Sequence, residues 1–541
     1  MDIKNLAVRL SLVIISVSLF ACGGQDLLPP DENSTPNENP GGMPNNNPDG
    51  NMNPDGNMPD PPVDNTTGEG GSGETDLIPE NKIKPNILIF MADDLTYTDI
   101  GPYGNEDVNT PNLDEFAQQS LKFNYAFDTA AMCAPTRMAL YSGLQPVSNG
   151  GHPNHSRSYD EVRSMPNYLR PLGYRVGIIG KRHESPQKNY SFEYLGGKHS
   201  ANAAKNSDTL DMKLAENFIR ETDGPWALVL SSLQPHQPWN KGNANQYDAK
   251  KITVPPDLVD TAETRSALTK YYAEITFMDN LFGRALQLLR EYNQEENTLV
   301  LFLTEQGSNF PFAKWTLYDA GQRAGILARW PGIISENTET DAMVQYVDIL
   351  PTLMEAAGLK TDFDLDGKSF LPVLVKPESE HREYAYGVQT TKGIISGSNS
   401  YAIRSIRSKD YRFIWNLDHN ARFSNIVTAG TSPYNIFSSW KKRAQQGDAW
   451  AQERSDLYVK RPEFELYDMR NSRYEFENLA DDPSYAEIKD EMFTALKAWM
   501  EQQGDEGKQT EASANSRTRD TDQRLFPIGI PKGGTDLDIV L

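Results

Sequence analysis

The stretch Lys84 to Asp94, "KPNILIFMADD", decides how the rest of the chain is read. Ile87 to Met91 form an unbroken apolar run, the mark of a strand buried on both faces, as in a parallel sheet. Three more segments share that texture: "YRVGIIG" at 174–180, "WALVLSS" at 226–232 and "TLVLFLT" at 298–304. Between the last two, Leu268, Tyr272, Ile275, Met278, Phe282, Leu286 and Leu289 recur at helical spacing and predict a long amphipathic helix. "TPNLDEFAQQS" predicts another, with Thr110 as its cap and Pro111 at the first helical position. Strands alternating with helices give an α/β domain on a mainly parallel sheet.

Each of the four strands runs into polar groups: Asp93 and Asp94, Lys181 and His183, His236, and Glu305 with Gln306. In open α/β sheets ligands bind beyond the carboxyl ends of the strands, so these groups are expected to converge on one site. Two adjacent aspartates repel each other unless a cation sits between them, and Glu305 and Gln306 add further oxygens. An all-oxygen shell points to a hard cation, calcium or magnesium, and away from zinc. Lys181 and His183 alternate along extended backbone and can face the same way, and Lys314 in "FAKWTLYDAGQR" is a third cationic candidate. Cations beside a metal suggest a pocket for an oxyanion.

One of the two cysteines stands in "AMCAPTRMALYSGL", residues 131–144. Pro135 suits the first turn of a helix, which puts Cys133 at the positive end of the helix dipole. A thiol there is acidic and reactive, and an anion there is bound by free amides. A buried, inert cysteine at a helix start fits the same residues, and the physics of this stretch leaves the choice open.

The formal net charge of −23 argues against a nucleic-acid surface, which needs a basic footprint. It permits an anionic substrate, because a local basic pocket overrides the global field within a Debye length of about 8–10 Å. At the N-terminus Lys4 and Arg9 precede the apolar run Leu10 to Phe20, too short to span a bilayer, with Ala21 and Cys22 following. This predicts an exported protein. "LFAC" resembles a bacterial lipobox, which makes residues 1–22 a lipoprotein signal peptide and Cys22 a lipid anchor at the cell envelope, periplasmic or at the cell surface; an ordinary secretory peptide is the alternative. With Cys22 lipidated, Cys133 has no intramolecular disulfide partner. Residues 23–82 are rich in Pro, Asn, Gly and Asp and read as a disordered tether; the near repeat "NPDGNMNPDGNM" lacks the ligand alternation of calcium loops. The main domain is expected at 83–397. A smaller α+β domain follows at 398–503, with hairpin strands in "YAIRSIRSKDYRFIWNL" and "FELYDMRNS" and a helix in "SYAEIKDEMFTALKAWMEQQ". Residues 504–541 read as a polar tail, poorly ordered or draped over the surface.

Cys133-Ala134-Pro135-Thr136-Arg137 followed by "MALYSGL" resembles the C-x-P-[ST]-R signature of the type I sulfatases. The resemblance continues through "PNILIFMADDLTYTDIGPYGN", "GYRVGIIGKRH", "PHQPW", "LYDAGQRAGILARWPG", "VDILPTLMEAAGL" and "ELYDMRNSRYEFENLADDP", covering about residues 84–500. It implies an alkaline-phosphatase-like α/β fold and oxidation of Cys133 to Cα-formylglycine by a formylglycine-generating or anaerobic sulfatase-maturating enzyme. The aldehyde hydrate would be the nucleophile of a double displacement. Carried over by motif, Asp93, Asp94, residue 133, Glu305 and Gln306 would surround one calcium ion, and Arg137 would hold the hydrate. Lys181 would bind sulfate, His183 would take a proton to expel it, and His236 and Lys314 would bind sulfate and protonate the leaving oxygen. Glu305-Gln306 departs from the pattern, since many members have Asp followed by Asn or His.

"GKRHESP" in place of "GKWHLG", with "TEQG" and "YRFIWN", is more similar to the branch of heparan N-sulfatases and bacterial polysaccharide sulfatases. That implies a sulfated polysaccharide or its oligosaccharides as substrate, algal such as ulvan or carrageenan, or a glycosaminoglycan. His152, His155 and Arg157 in "GGHPNHSRSYDE" would either read sugar groups or serve a structural loop. Two other readings remain at this stage. One is a phosphoesterase of the alkaline phosphatase superfamily, which would need histidine-rich zinc sites that the seven histidines here do not space out. The other is a non-catalytic glycan-binding lipoprotein with an unmodified Cys133.

Overall fold

The computed structural model describes residues 78–79, 84–197, 210–359, 363–430 and 432–518, so the expected signal peptide, nearly all of the tether and the end of the tail lie outside the described residues. The strands, in chain order, are β1 Asn86–Ala92, β2 Leu121–Phe127, β3 Arg175–Gly180, β4 Glu193–Gly196, β5 Trp226–Ser231, β6 Thr298–Thr304, β7 Arg323–Arg329 and β8 Thr338–Gln345. They form one sheet in the order β4-β3-β5-β1-β6-β7-β2-β8. The four strands expected from apolar runs stand side by side at its centre, and β1 pairs in parallel with both β5 and β6.

Why β1 reads as continuous apolar sequence is visible in what its two faces touch. Leu88 and Phe90 join one hydrophobic cluster, while Ile87, Ile89 and Met91 join another on the opposite face. On the first face the ring of Phe282 stands edge-on to Phe90, Phe302 and Phe116, with centroids 5.2, 5.2 and 5.0 Å away. Phe282 belongs to the long helix Ala262–Glu291, capped by the Thr261 side chain accepting from the Thr264 amide. Truncating this ring to alanine would cost about 3–5 kcal/mol, since it joins two strands and two helices. On the second face lie the helices Cys133–Ser142 and Ile349–Ala356.

The sheet is mixed. β7 runs antiparallel to β6 and β2, and β2 is parallel to β8. The helix Pro111–Ala117 begins at Pro111 as expected, but Thr110 does not cap it through a backbone amide. Its hydroxyl instead donates to Asp114 Oδ1 at 3.1 Å and accepts from the Gly101 amide at 3.0 Å.

A second, four-stranded antiparallel sheet follows in the order β12-β11-β10-β9, built from β9 Ala385–Gln389, β10 Ile403–Arg407, β11 Tyr411–Asn416 and β12 Phe464–Asp468. The helix Ala486–Gln502 covers it, with Phe493 against Phe413, Trp415 and Phe464, and Trp499 stacked on Tyr386 at 4.7 Å. β9 lies before residue 398, where the sequence texture changes; five residues that include Gly387 carry little strand signal. Beyond residue 504 the chain forms the short helix Lys508–Ser513, with Thr510, Glu511 and Ala514 buried. Among the described residues no helix is long and apolar enough to cross a membrane.

Candidate active site

Hydrogen bonds between the strand ends set the site's floor. The Lys181 amide donates to the Ser231 carbonyl at 2.9 Å, the Glu305 amide to the Ala92 carbonyl at 2.9 Å, and the Asp93 amide to the Gln234 carbonyl at 3.2 Å. At the end of β3 the approach is so close that a Cβ on Gly180, whose φ is +96°, would lie 2.2 Å from the Ser231 carbonyl oxygen. Only glycine serves there. Asp94 itself sits in the left-handed region, with φ 59°, which turns its carboxylate back beside that of Asp93.

The side chains converge as expected. The Cys133 sulfur, at the first residue of its helix, lies 3.6 Å from Asp93 Oδ1 and 3.9 Å from Asp94 Oδ1. Lys181 Nζ donates to Asp93 Oδ2 and Lys314 Nζ to Asp94 Oδ1, each at 2.5 Å. His236 Nε2 stands 3.6 Å from Asp94 Oδ2. Gln306 Nε2 donates to Asp94 Oδ1 at 2.6 Å and lies 3.4 Å from the Cys133 sulfur. Arg137, fully buried, donates through Nε to Glu305, through Nη1 to the Ser231 hydroxyl, and again through Nη1 to the Lys181 carbonyl at 3.3 Å. The longer side chain at 305 therefore engages the arginine of the signature directly.

Burial and neighbouring charge act together here. Burial works against the Asp93 carboxylate, but Lys181, His236 and Arg137 outweigh it and hold the group well below its usual range. Burial pushes Glu305 up to about 8 despite Arg137. Burial opposes the Lys314 ammonium, yet Asp94, Cys133 and Asp93 keep it charged. His236 is lowered, by burial first and then by Lys314 and Lys181. Its Nδ1 meets the Gln237 carbonyl at 2.5 Å, so Nε2 is the nitrogen turned to the site. For Cys133 the dipole argument predicts an acidic thiol; burial instead pushes it up to about 12, against the pull of Lys181 and Lys314. An unmodified Cys133 is thus a poor thiolate.

Ligand atoms of Asp93, Asp94, Cys133 and Glu305 all lie within 4.8 Å of one another. Asp94 Oδ2, Glu305 Oε2 and Gln306 Oε1 are buried acceptors without a hydrogen-bond donor. Unpaired buried oxygens are costly unless a ligand satisfies them, and this donor set suits a hard divalent cation.

His183, two residues beyond Lys181, is buried beside His155. Its Nε2 is 2.9 Å from His155 Nδ1, with the two rings edge to face at 4.6 Å. His152 is buried, which pushes it down to about 3, with Arg404, Asp505 and Arg517 nearby. Arg157 reaches outward to Asp160 at 3.1 Å. Sequence reasoning missed Ser231, whose hydroxyl orients Arg137, and Tyr434, whose hydroxyl accepts from the Trp239 amide at 2.6 Å while its ring lies 4.3 Å from that of Trp239. The first could have been noticed as a polar residue closing a buried strand; the second has no local signal.

Comparison with known proteins agrees with this geometry. Residues 85–359 match the Sulfatase family model, and residues 307–425 match the model described as N-sulphoglucosamine sulphohydrolase, C-terminal. The chain is 30% identical to an ulvan-active sulfatase of Formosa agariphila, over 78% of this chain and 81% of that protein. It is 28% identical to human N-sulphoglucosamine sulphohydrolase, over 77% of this chain and 89% of the relative. A solved structure in complex with its substrate D-glucosamine-2-N,6-O-disulfate superposes with a TM-score of 0.59 at 19% identity, covering 78% of this chain and 99% of the other, and shares the fold. With the strand-end cluster and half the chain's length matched, this protein belongs to the sulfatase family and is a sulfuric ester hydrolase.

Proposed function

We propose that the protein removes sulfate from a sulfated polysaccharide or its oligosaccharides, with Cys133 converted to Cα-formylglycine. The observation that carries this reading is the meeting of Lys181, Lys314 and His236 with the Asp93, Asp94, Cys133 and Glu305 cluster at the strand ends. Such a site pairs an anion-holding ring of cations with a place for a hard cation, here calcium held by Asp93, Asp94, residue 133, Glu305 and Gln306. Magnesium suits the crowded set less well, because it demands a strict octahedron and gives up water reluctantly. The cation would polarise the sulfuryl oxygens, and the aldehyde hydrate would supply an oxygen nucleophile where a thiol of high pKa would fail.

The chain's own residues divide the remaining work. Lys181 and Lys314 hold the sulfuryl oxygens in a preorganised field. Arg137, fixed by Glu305 and Ser231, supports residue 133. His236 takes up a proton with the anionic ester and returns it, with Lys314 beside it, to the leaving oxygen or nitrogen. His183 accepts the proton whose removal releases sulfate.

The substrate class is supported by the ulvan-active and N-sulphoglucosamine relatives. The N-terminal sequence supports export and a lipid anchor at Cys22, suited to a large extracellular glycan. The test is peptide mass spectrometry of residue 133 on protein coexpressed with a maturating enzyme, where conversion removes about 18 Da. Sulfate released from ulvan and from heparan oligosaccharides is then measured by ion chromatography. An intact thiol beside a fully matured control sulfatase would overturn the formylglycine reading. A matured protein that releases no sulfate from either glycan would overturn the substrate class.

A further inference from the structure

The C-terminal segment reaches back to the loop that carries His155. Arg517 Nε donates to the Gly150 carbonyl at 3.1 Å and its Nη2 to the Arg157 carbonyl at 2.8 Å. Its guanidinium lies 4.2 Å from the centroid of the Tyr159 ring, and its own carbonyl accepts from the Arg157 amide at 2.9 Å. Ser156 and Thr518 form an isolated antiparallel bridge beside these contacts. The segment is fastened at its other end by Asp505, which accepts from Arg404 Nη2 at 2.9 Å in β10.

The loop holds His155, which contacts His183. His155 has φ 52°, a left-handed conformation that a residue with a β-carbon enters only at a cost and keeps only when its surroundings impose it. Arg517 supplies contacts on both sides of it, at Gly150 and Arg157. From there His155 Nδ1 meets His183 Nε2 at 2.9 Å, and the Ser158 amide donates to the Ser185 carbonyl at 2.8 Å, so the loop and the segment after β3 that carries His183 are tied at two points.

We infer that His155 and Arg517 are positioning residues for His183: the C-terminal segment clamps the 150–159 loop, and the loop fixes the imidazole that handles a proton during sulfate release. The inference rests on the proposed role of His183 and concerns residues that do not touch the reacting atoms.

Two readouts test it on the full-length, matured protein. The first is the rate of diethyl pyrocarbonate modification of each histidine, followed by peptide mass spectrometry, which needs no turnover. Arg517→Ala should raise the rates at His155 and His183 severalfold, roughly as expected when a clamped pair opens locally. Arg517→Lys should raise them less, and His381 and His419 should stay unchanged. An unchanged rate at His183, or an equal rise at His381, would overturn the clamp. The second is turnover of 4-nitrophenyl sulfate. His155→Ala and Arg517→Ala should lower kcat about tenfold with KM within about twofold, the pattern of a misplaced group in the reaction step, and His155→Gln should restore part of the loss. His183→Ala at full activity would sink the catalytic role of His183 itself. An inactive His183→Ala beside His155→Ala and Arg517→Ala at full kcat would sink the positioning role alone.

Discussion

Two sides of the same site are built in opposite ways. On the floor, Asp93, Asp94, Lys181, Glu305 and Gln306 each stand within two residues of the end of a buried strand, and the backbone bonds between neighbouring ends fix their spacing. On the side facing the C-terminus, alignment is achieved by contacts between distant parts of the chain: Arg517 grips a loop 360 residues away, and Tyr434 meets Trp239 across 195. A floor set by sheet geometry tolerates little change in charge but needs no outside support. A wall set by remote contacts can loosen without unfolding the sheet, so the two sides should respond differently to substitution.

The largest effects belong to the floor. Lys314→Ala removes the cation 2.5 Å from Asp94 and is expected to lower kcat about 10²–10³-fold, the usual cost of losing one preorganised charge. Lys181→Ala, beside Asp93, should do the same. Sulfate release under saturating substrate measures this, with far-UV circular dichroism showing the sheet intact. A loss under about threefold in either variant would remove that lysine from the charge-stabilising set.

Glu305→Gln probes the departure at the second acidic position. Its carboxylate faces Arg137 with both side chains fully buried. Removing one charge of a buried pair costs about 3–5 kcal/mol, because the other is left uncompensated, and the comparison is made above the value of about 8 to which burial pushes Glu305, where the carboxylate is ionised. Chemical denaturation should show this drop, while Ser231→Ala, which removes only a neutral partner of Arg137, should cost about 1–2 kcal/mol. Equal effects would mean that Arg137 is held by the hydroxyl as much as by the acid.

How much of this was legible in the sequence follows the same division. The floor could be read because burial on both faces leaves a continuous apolar run, and a polar residue directly after such a run has one place to go. Ile87 to Met91 followed by Asp93 is the clearest case. β2 gave no such mark, because half-buried positions such as Asn124 and Tyr125 break its run, and although β7 carries a short buried apolar run, Ala324 to Ala328, an antiparallel strand inserted into a parallel sheet has no signature in its own residues. The wall was not legible at all. Nothing near Arg517 indicates Tyr159, and the composition of residues 504–518 is that of a polar tail, although Thr510 and Glu511 are buried. His155 was visible as a histidine not far beyond the Cys133–Ser142 helix, but its nearness to His183 depends on the course of two loops.

The anchor of the wall should show a pH dependence of its own. Burial raises the Asp505 carboxyl, but Arg404 and hydrogen bonds from Gly507 and Thr510 bring it below its usual range. A carboxyl depressed in the folded state contributes stability that is present above the unfolded value of about 3.9 and is lost as pH falls through the folded value. Amide exchange of residues 505–513 should therefore accelerate below about pH 4, before the central strands do. Asp505→Asn should give the same local acceleration at pH 7, by about 1.5–3 kcal/mol, the worth of hydrogen bonds to a charged group. If the central strands lost protection together with the segment, the wall would be part of the same cooperative unit as the floor.

Tyr434→Phe is the finest test of the contrast. The hydroxyl accepts from the Trp239 amide at 2.6 Å, while the ring, 4.3 Å from that of Trp239, would stay in place. Losing one neutral hydrogen bond costs about 1 kcal/mol, partly recovered if water reaches the freed amide. Trp239 also donates through its indole to the Pro235 carbonyl at 2.8 Å, directly before His236, so a small shift of Trp239 is transmitted to the residue proposed to protonate the leaving group. The expected result is a modest fall in kcat, about two- to fivefold, with the denaturation midpoint nearly unchanged. A change in stability without a change in turnover would show instead that the stack of aromatic rings, and not the hydroxyl, sets the position of the His236 loop.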